Sequence, residues 1–268
     1  MTHPLVRTVR RALAEAADPT KAAAMQTYMK SAMPYRGVSA PVLKLVCRNA
    51  FKAHPLVTAA EWRRVVLDLW RHAEFREERY AAVLLTQARS YREFQTYSSL
   101  PLLEEMIVTG AWWDFVDTLA GHNLGDILRA DPRKMKPLMR RWARDADMWK
   151  RRSAILCQLG LKRETDLDLL YDCIEPNLSH KDFFIRKAIG WALRQYAWTD
   201  PKEVKRYVKA NKARLSPLSV REALKNCKVR LPPSPKASAG QGSRTLRNEA
   251  GHYDENSSLR TRSRSRSI

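Results

Sequence analysis

Three large side chains recur at one interval: Trp113, Arg152 and Trp191 are spaced 39 residues apart (152 − 113 and 191 − 152). Asp117 follows Trp113 by four residues, which is one turn along a helix. In an all-helical chain an interval of this length implies stacked helix pairs, with side chains from successive repeats lining one surface. Two indoles, a guanidinium and a carboxylate on one surface suit a ligand that is cationic and planar, or that becomes positive in its transition state. Indole faces attract cations by about 0.5–2 kcal/mol each. A carboxylate in a water-poor cleft stabilises developing positive charge or orients a water for attack. Cleavage of an N-glycosidic bond makes both demands, because the sugar becomes oxocarbenium-like. Arg152 would then hold a backbone phosphate beside that centre.

The elements that must position these residues read as helices throughout, with almost no alternating strand pattern. Thr58 with Glu61, and Ser179 with Asp182, have the form of capping boxes. Asp131-Pro132, Asp200-Pro201 and Ser216-Pro217 each place an N-cap residue before a proline suited to the first helical position. Between these marks the pattern predicts helices over 5–17, 20–32, 40–53, 59–71, 76–89, 100–109, 112–128, 132–143, 148–160, 165–174, 180–197, 201–210 and 217–227. Trp112 and Trp113 are adjacent, so on a helix one is expected in the core and the other outward, on the face of Asp117. Phe183 and Phe184 are expected to pack between helices. A second interval supports the repeat: Arg152-Ser153-Ala154-Ile155 aligns with Lys187-Ala188-Ile189-Gly190 at a shift of 35, and Asp117 precedes Arg152 by the same 35. The two intervals differ by about one turn, which keeps these residues on one face. The expected fold is all-α: HEAT-like helical repeats stacked into a curved solenoid with a basic concave face.

Charge agrees with such a face. The chain has 49 Lys and Arg against 28 Asp and Glu, or +21. After Lys228 the composition turns to Pro, Ser and Arg. Residues 229–268 hold 8 Lys and Arg against 3 Asp and Glu, so +5 lies there and +16 on residues 1–228. We expect one folded domain over 1–228 and a disordered basic tail over 229–268. A folded part this basic draws polyanions, nucleic acid first among them. Lys150, Arg151, Lys187 and Arg194 flank the constellation and would extend a positive stripe along the concave face. Other classes are disfavoured. No Gly-rich phosphate loop or GxGxxG occurs, nor HExxH, nor a Cys/His cluster at zinc spacing, so no metal or organic cofactor is expected. No apolar run approaches membrane-spanning length and no apolar leader opens the chain, so a cytoplasmic or nucleoid location and a monomer are expected.

Longer runs carry a resemblance. "GAWWDFVDTLAGHNLGDIL", "SAILCQLGLK", "KDFFIRKAIGWALRQYAWTDP" and "LSPLSVREALKN", with "YMKSAMPYRGVSAPVLK" nearer the start, are similar to the AlkD-type alkylpurine DNA glycosylases, the HEAT-like-repeat family of DNA alkylation repair enzymes. The resemblance covers about Met1 to Lys228. It implies that Trp113, Asp117 and Trp191 are catalytic, the indoles flanking the deoxyribose and Asp117 stabilising the oxocarbenium. It implies that Arg152 contacts the DNA backbone beside the lesion. The substrates it implies are cationic N3- and N7-alkylated purines in double-stranded DNA, excised without a base-flipping pocket and without metal or organic cofactor. After Gly37 the sequence Val38-Ser39-Ala40-Pro41 departs from the family's Thr-Pro-Glu-Arg-like residues, which leaves Tyr28, Ser39 and Lys44 as DNA contacts on that side. The alternatives are a non-catalytic nucleic-acid-binding helical repeat and a protein-binding one. Asp117 separates the first of these from an enzyme, because a groove that only grips phosphate has no use for a carboxylate at its centre.

Overall fold

The structure, a computed structural model, describes residues 2–228. The expected tail, residues 229–268, lies outside the described residues. Among those described there are fourteen α-helices and no strand. They are α1 (Pro4–Glu15), α2 (Pro19–Met29), α3 (Ala40–Ala53), α4 (Ala59–Arg71), α5 (Arg76–Gln87), α6 (Leu100–Gly110), α7 (Trp113–Thr118), α8 (Gly125–Ala130), α9 (Pro132–Trp142), α10 (Met148–Leu156), α11 (Leu167–Ile174), α12 (Phe183–Tyr196), α13 (Pro201–Ala210) and α14 (Pro217–Ala223).

Capping sets most of these boundaries. Thr58 Oγ1 accepts from the Glu61 amide at 3.1 Å, and Asp131, Asp200 and Ser216 accept from amides of the first turns of α9, α13 and α14. The 180–197 helix starts later than expected. Asp182, not Ser179, is its N-cap, accepting from the amides of Phe184 and Ile185 at 2.6 and 3.3 Å. A carboxylate that reaches two amides displaces the hydroxyl three residues before it.

The helices form two rows. In one, α5, α7, α10, α12 and α14 touch in series; in the other, α4 meets α6 and α9 meets α11. The domain is thus a HEAT-like stack of helix pairs. Side-chain bonds between successive pairs repeat at nearly the expected interval. Arg71–Glu105 spans 34 residues, Arg152–Asp117 and Arg129–Glu164 span 35, Arg76–Asp114 spans 38 and Trp70–Thr109 spans 39. Repetition in the sequence is therefore repetition of contacts across the stack.

The span expected as one helix over 112–128 is continuously helical from Trp113 to Ala130, with one turn of different pitch. Between α7 and α8, Leu119–Leu124 forms a π-helical turn. Gly125 lies so close to α10 that a Cβ there would sit 2.8 Å from the Cys157 carbonyl oxygen. The α12–α14 contact is equally tight, since a Cβ on Gly190 would meet the Glu222 Cβ at 2.5 Å and the Ser219 carbonyl oxygen at 2.9 Å. Both neighbours are near-rigid, so Gly190→Ala is expected to destabilise the domain by about 1–3 kcal/mol. Thermal melting of the variant checks this.

Candidate active site

Asp117 and Arg152 form the centre of the site. Arg152, on α10, donates from Nε to Asp117 Oδ1 at 2.6 Å and from Nη2 to Oδ2 at 2.7 Å, the parallel fork that guanidinium and carboxylate planes allow. Its remaining Nη1 donates to the Phe184 carbonyl in the first turn of α12. One side chain therefore ties α7, α10 and α12 together. The Arg152 side chain is only 3% exposed and that of Asp117 only 12%. Burial pushes the Asp117 carboxyl above its ordinary range; Arg152 pulls against this and the Asp114 carboxylate adds to it.

Trp113 and Trp191 are part-exposed indoles packed against the core, on the two helices that Arg152 joins. Trp113 is one turn before Asp117, and Trp191 is two turns beyond Phe184 on α12. Trp112 is part-buried like Trp113, so the expected split into one core and one outward indole is not sharp; Trp112 packs against Phe184 at 5.5 Å and Trp149 at 6.3 Å between ring centroids. Phe184 packs as expected, but Phe183 does not: it is 57% exposed, because the helix begins at that residue and turns its side chain away from the interface.

A second ion pair lies beside the first. Asp114 accepts from Arg76 Nη2 at 2.8 and 2.9 Å, and from the Tyr80 hydroxyl at 2.6 Å. Tyr80 in turn meets Tyr35 at 2.8 Å, and burial raises both phenols, Tyr35 to about 12. This network grips the first turn of α7, the turn that presents Trp113. Asp114, the residue after Trp113, is not among the residues the sequence singles out. Its signal was available in the 38-residue separation from Arg76, close to the interval of the indoles.

The positive stripe is where expectation and structure part. Arg152, expected at a phosphate, spends its donors on Asp117 and Phe184. Lys150 pairs with Glu104 at 2.7 Å and Asp145 at 2.8 Å. Arg151 donates to the Asp145 and Arg144 carbonyls and to Asn177 Oδ1. Both are fasteners within the fold: Lys150 is neutralised by two carboxylates, while the donors of Arg151 are taken by neutral oxygens. Lys187 and Arg194 converge on one buried carboxylate, Glu222 of α14, at 3.0 and 2.8 Å, joined by Lys225 at 2.7 Å. Burial acts to raise the Glu222 pKa, yet Lys225 and Lys187 hold it below its ordinary value. Three cations on one anion leave two positive charges in excess, and Lys187, Trp191 and Arg194 share one stripe of α12. Tyr28 is 60% exposed and Lys44 is exposed on α3. Ser39 is the half-buried N-cap of that helix, and its hydroxyl makes no capping bond. Among the described residues, no hydrogen bond or ion pair joins Tyr28, Ser39 or Lys44 to the Asp117–Arg152 pair. Among the described residues, no group of three or more His, Cys, Asp and Glu is placed to hold a metal ion.

A family model for DNA alkylation repair enzymes matches residues 9–227. The chain belongs to the DNA alkylation repair enzyme family. Among solved structures, a protein of Enterococcus faecalis described as a "Predicted DNA alkylation repair enzyme" superposes with a TM-score of 0.70 at 29% identity, covering 78% of this chain and 95% of the other. No curated protein matches the chain. The family match contains the whole site: the α7 turn with Trp113 and Asp117, the α10 arginine and the α12 tryptophan all fall inside it.

Proposed function

We propose that this member of the family is a monofunctional DNA glycosylase, hydrolysing the N-glycosidic bond of cationic N3- and N7-alkylated purines in duplex DNA and acting as a cytoplasmic monomer. The observation that carries the reading is the Asp117 carboxylate, held in a fixed plane by Arg152 and flanked along its helices by two part-exposed indoles. Alkylation leaves the purine positively charged, so it departs with its bonding electrons and positive charge passes to the sugar. Asp117 then faces an oxocarbenium-like centre and stabilises it without reorganising. Trp113 and Trp191 supply negative ring faces and exclude bulk water. A water polarised by the carboxylate adds to the sugar and loses its proton, leaving an abasic site.

The experiment is release of 7-methylguanine or 3-methyladenine from methylated duplex DNA. The wild type is expected to release base; binding without release would favour a nucleic-acid-binding repeat instead. The pH profile gives a further check. Asp117 acts as the carboxylate, and burial has moved its ionisation upward. Activity should therefore fall on acidification at a pH above that of an ordinary aspartate, with the limb set by the folded protein and not by unfolding. A limb at the ordinary carboxylate position would contradict the role given to Asp117.

A further inference from the structure

Arginines drawn away from water in this domain come with partners. Arg10, Arg36, Arg76, Arg140, Arg152 and Arg194 each reach a carboxylate, while Arg63, Arg151 and Arg186 donate to backbone carbonyls. Arg79 is the exception among the described residues. It is half-buried on α5 with no carboxylate or carbonyl in reach, and its Nε is buried without a hydrogen-bond partner. The guanidinium lies over the Trp70 ring at 4.8 Å, which fixes its plane but neutralises no charge. Burial pulls its pKa below the ordinary arginine value, and the Arg76 charge adds to the pull.

A desolvated cation without a counter-ion works against folding, and evolution commonly retains such a group where a ligand supplies the missing charge. The location indicates which ligand. Arg79 is one turn beyond Arg76, whose own charge is already taken by Asp114 in the first turn of α7. The Trp70 ring beneath it abuts Gly110, at 3.0 Å from where a Cβ would stand, at the end of α6 and just before Trp112 and Trp113. The free guanidinium is thus at the margin of the candidate active site, and its planar fork fits two oxygens of an oxyanion.

We propose that Arg79 is a phosphate-binding residue whose counter-ion is a backbone phosphate of the bound DNA strand, an inference that rests on the DNA-directed part of the proposed function but not on the reaction. The test measures equilibrium binding of undamaged duplex DNA across a salt series, with the wild type, Arg79→Gln and Arg79→Lys. Losing one phosphate contact should make the log–log salt slope of Arg79→Gln shallower by about 1. Arg79→Lys should recover the slope, since it restores the charge. Without DNA, Arg79→Gln should melt no lower than the wild type, because an unpaired desolvated charge has been removed. An unchanged slope, or a wild type without salt-dependent DNA binding, would overturn the proposal. So would a lowered melting temperature in Arg79→Gln with no recovery of slope in Arg79→Lys, which would make Arg79 a packing residue. Inorganic phosphate that raises the wild-type melting temperature but not that of Arg79→Gln, with equal DNA slopes, would transfer the site to a free oxyanion. Base release measured on the same samples keeps the two readings apart: a wild type that binds DNA and releases nothing removes the glycosylase reading and leaves the Arg79 slope standing.

Discussion

Arg152→Ala is expected to lower the unfolding free energy by about 3–5 kcal/mol, because it leaves one member of a buried ion pair behind. Asp117 would then be a carboxylate cut off from water with no guanidinium across from it, and the Phe184 carbonyl would lose its donor as well. The loss should appear in chemical denaturation as a lower midpoint with an unchanged slope. Arg152→Lys separates charge from geometry. An ammonium restores the countercharge but reaches one oxygen, so most of the stability should return while the carboxylate plane is no longer fixed. Base release by Arg152→Lys should stay well below wild type although the protein is folded. A variant Arg152→Ala as stable as wild type would mean that the pair is not what joins α7, α10 and α12.

Asp117→Asn is expected to reduce base release by about 10²–10³-fold, the range for removing one preorganised electrostatic group from a transition state. The amide keeps the shape and one acceptor for Arg152, so the protein should still fold, at lower stability because Arg152 is left buried without its countercharge, while the negative charge that opposes the oxocarbenium is gone. Removing that charge should leave binding of undamaged duplex DNA unchanged or slightly tighter, since Arg152 no longer has its countercharge. Single-turnover release with saturating enzyme, run beside equilibrium binding, separates the two effects. Full activity in Asp117→Asn would exclude Asp117 from the chemistry.

Much of this was legible in the sequence where the physics is local. Thr58, Asp131, Asp200 and Ser216 mark helix starts because a cap is decided within three residues. The 35-residue interval from Asp117 to Arg152 proved to be a bond, because stacked repeats convert sequence period into contact. The cations were harder to read. Lys150, Lys187 and Arg194 find Glu104 and Glu222 on other helices and Asp145 in the loop before α10, and a count of charges along one helix cannot show which of them are already neutralised. Arg76 and Asp114 were missed for the same reason: their pairing across α5 and α7 shows in the sequence only as a 38-residue separation, which does not say which arginine meets which aspartate. The site was read from its repeated members, while what holds them was hidden in pairings between repeats.

The π-helical turn at Leu119–Leu124 has a further consequence for how this enzyme can change. A wider turn takes in an extra residue, so the chain beyond it runs about 100° out of phase with the chain before it. Asp117, bonded to Arg152, and Gly125, past the turn and against the Cys157 carbonyl, therefore both face α10, which an unbroken α-helix over the same eight residues would not allow. Removing any one residue from the turn would rewind the helix and swing one of the two contacts off α10, like a two-toothed key cut with one tooth rotated. The segment therefore admits no change of length, and with Leu119, Ala120, Asn123 and Leu124 buried, drift within it should be confined to spelling at Gly121 and His122.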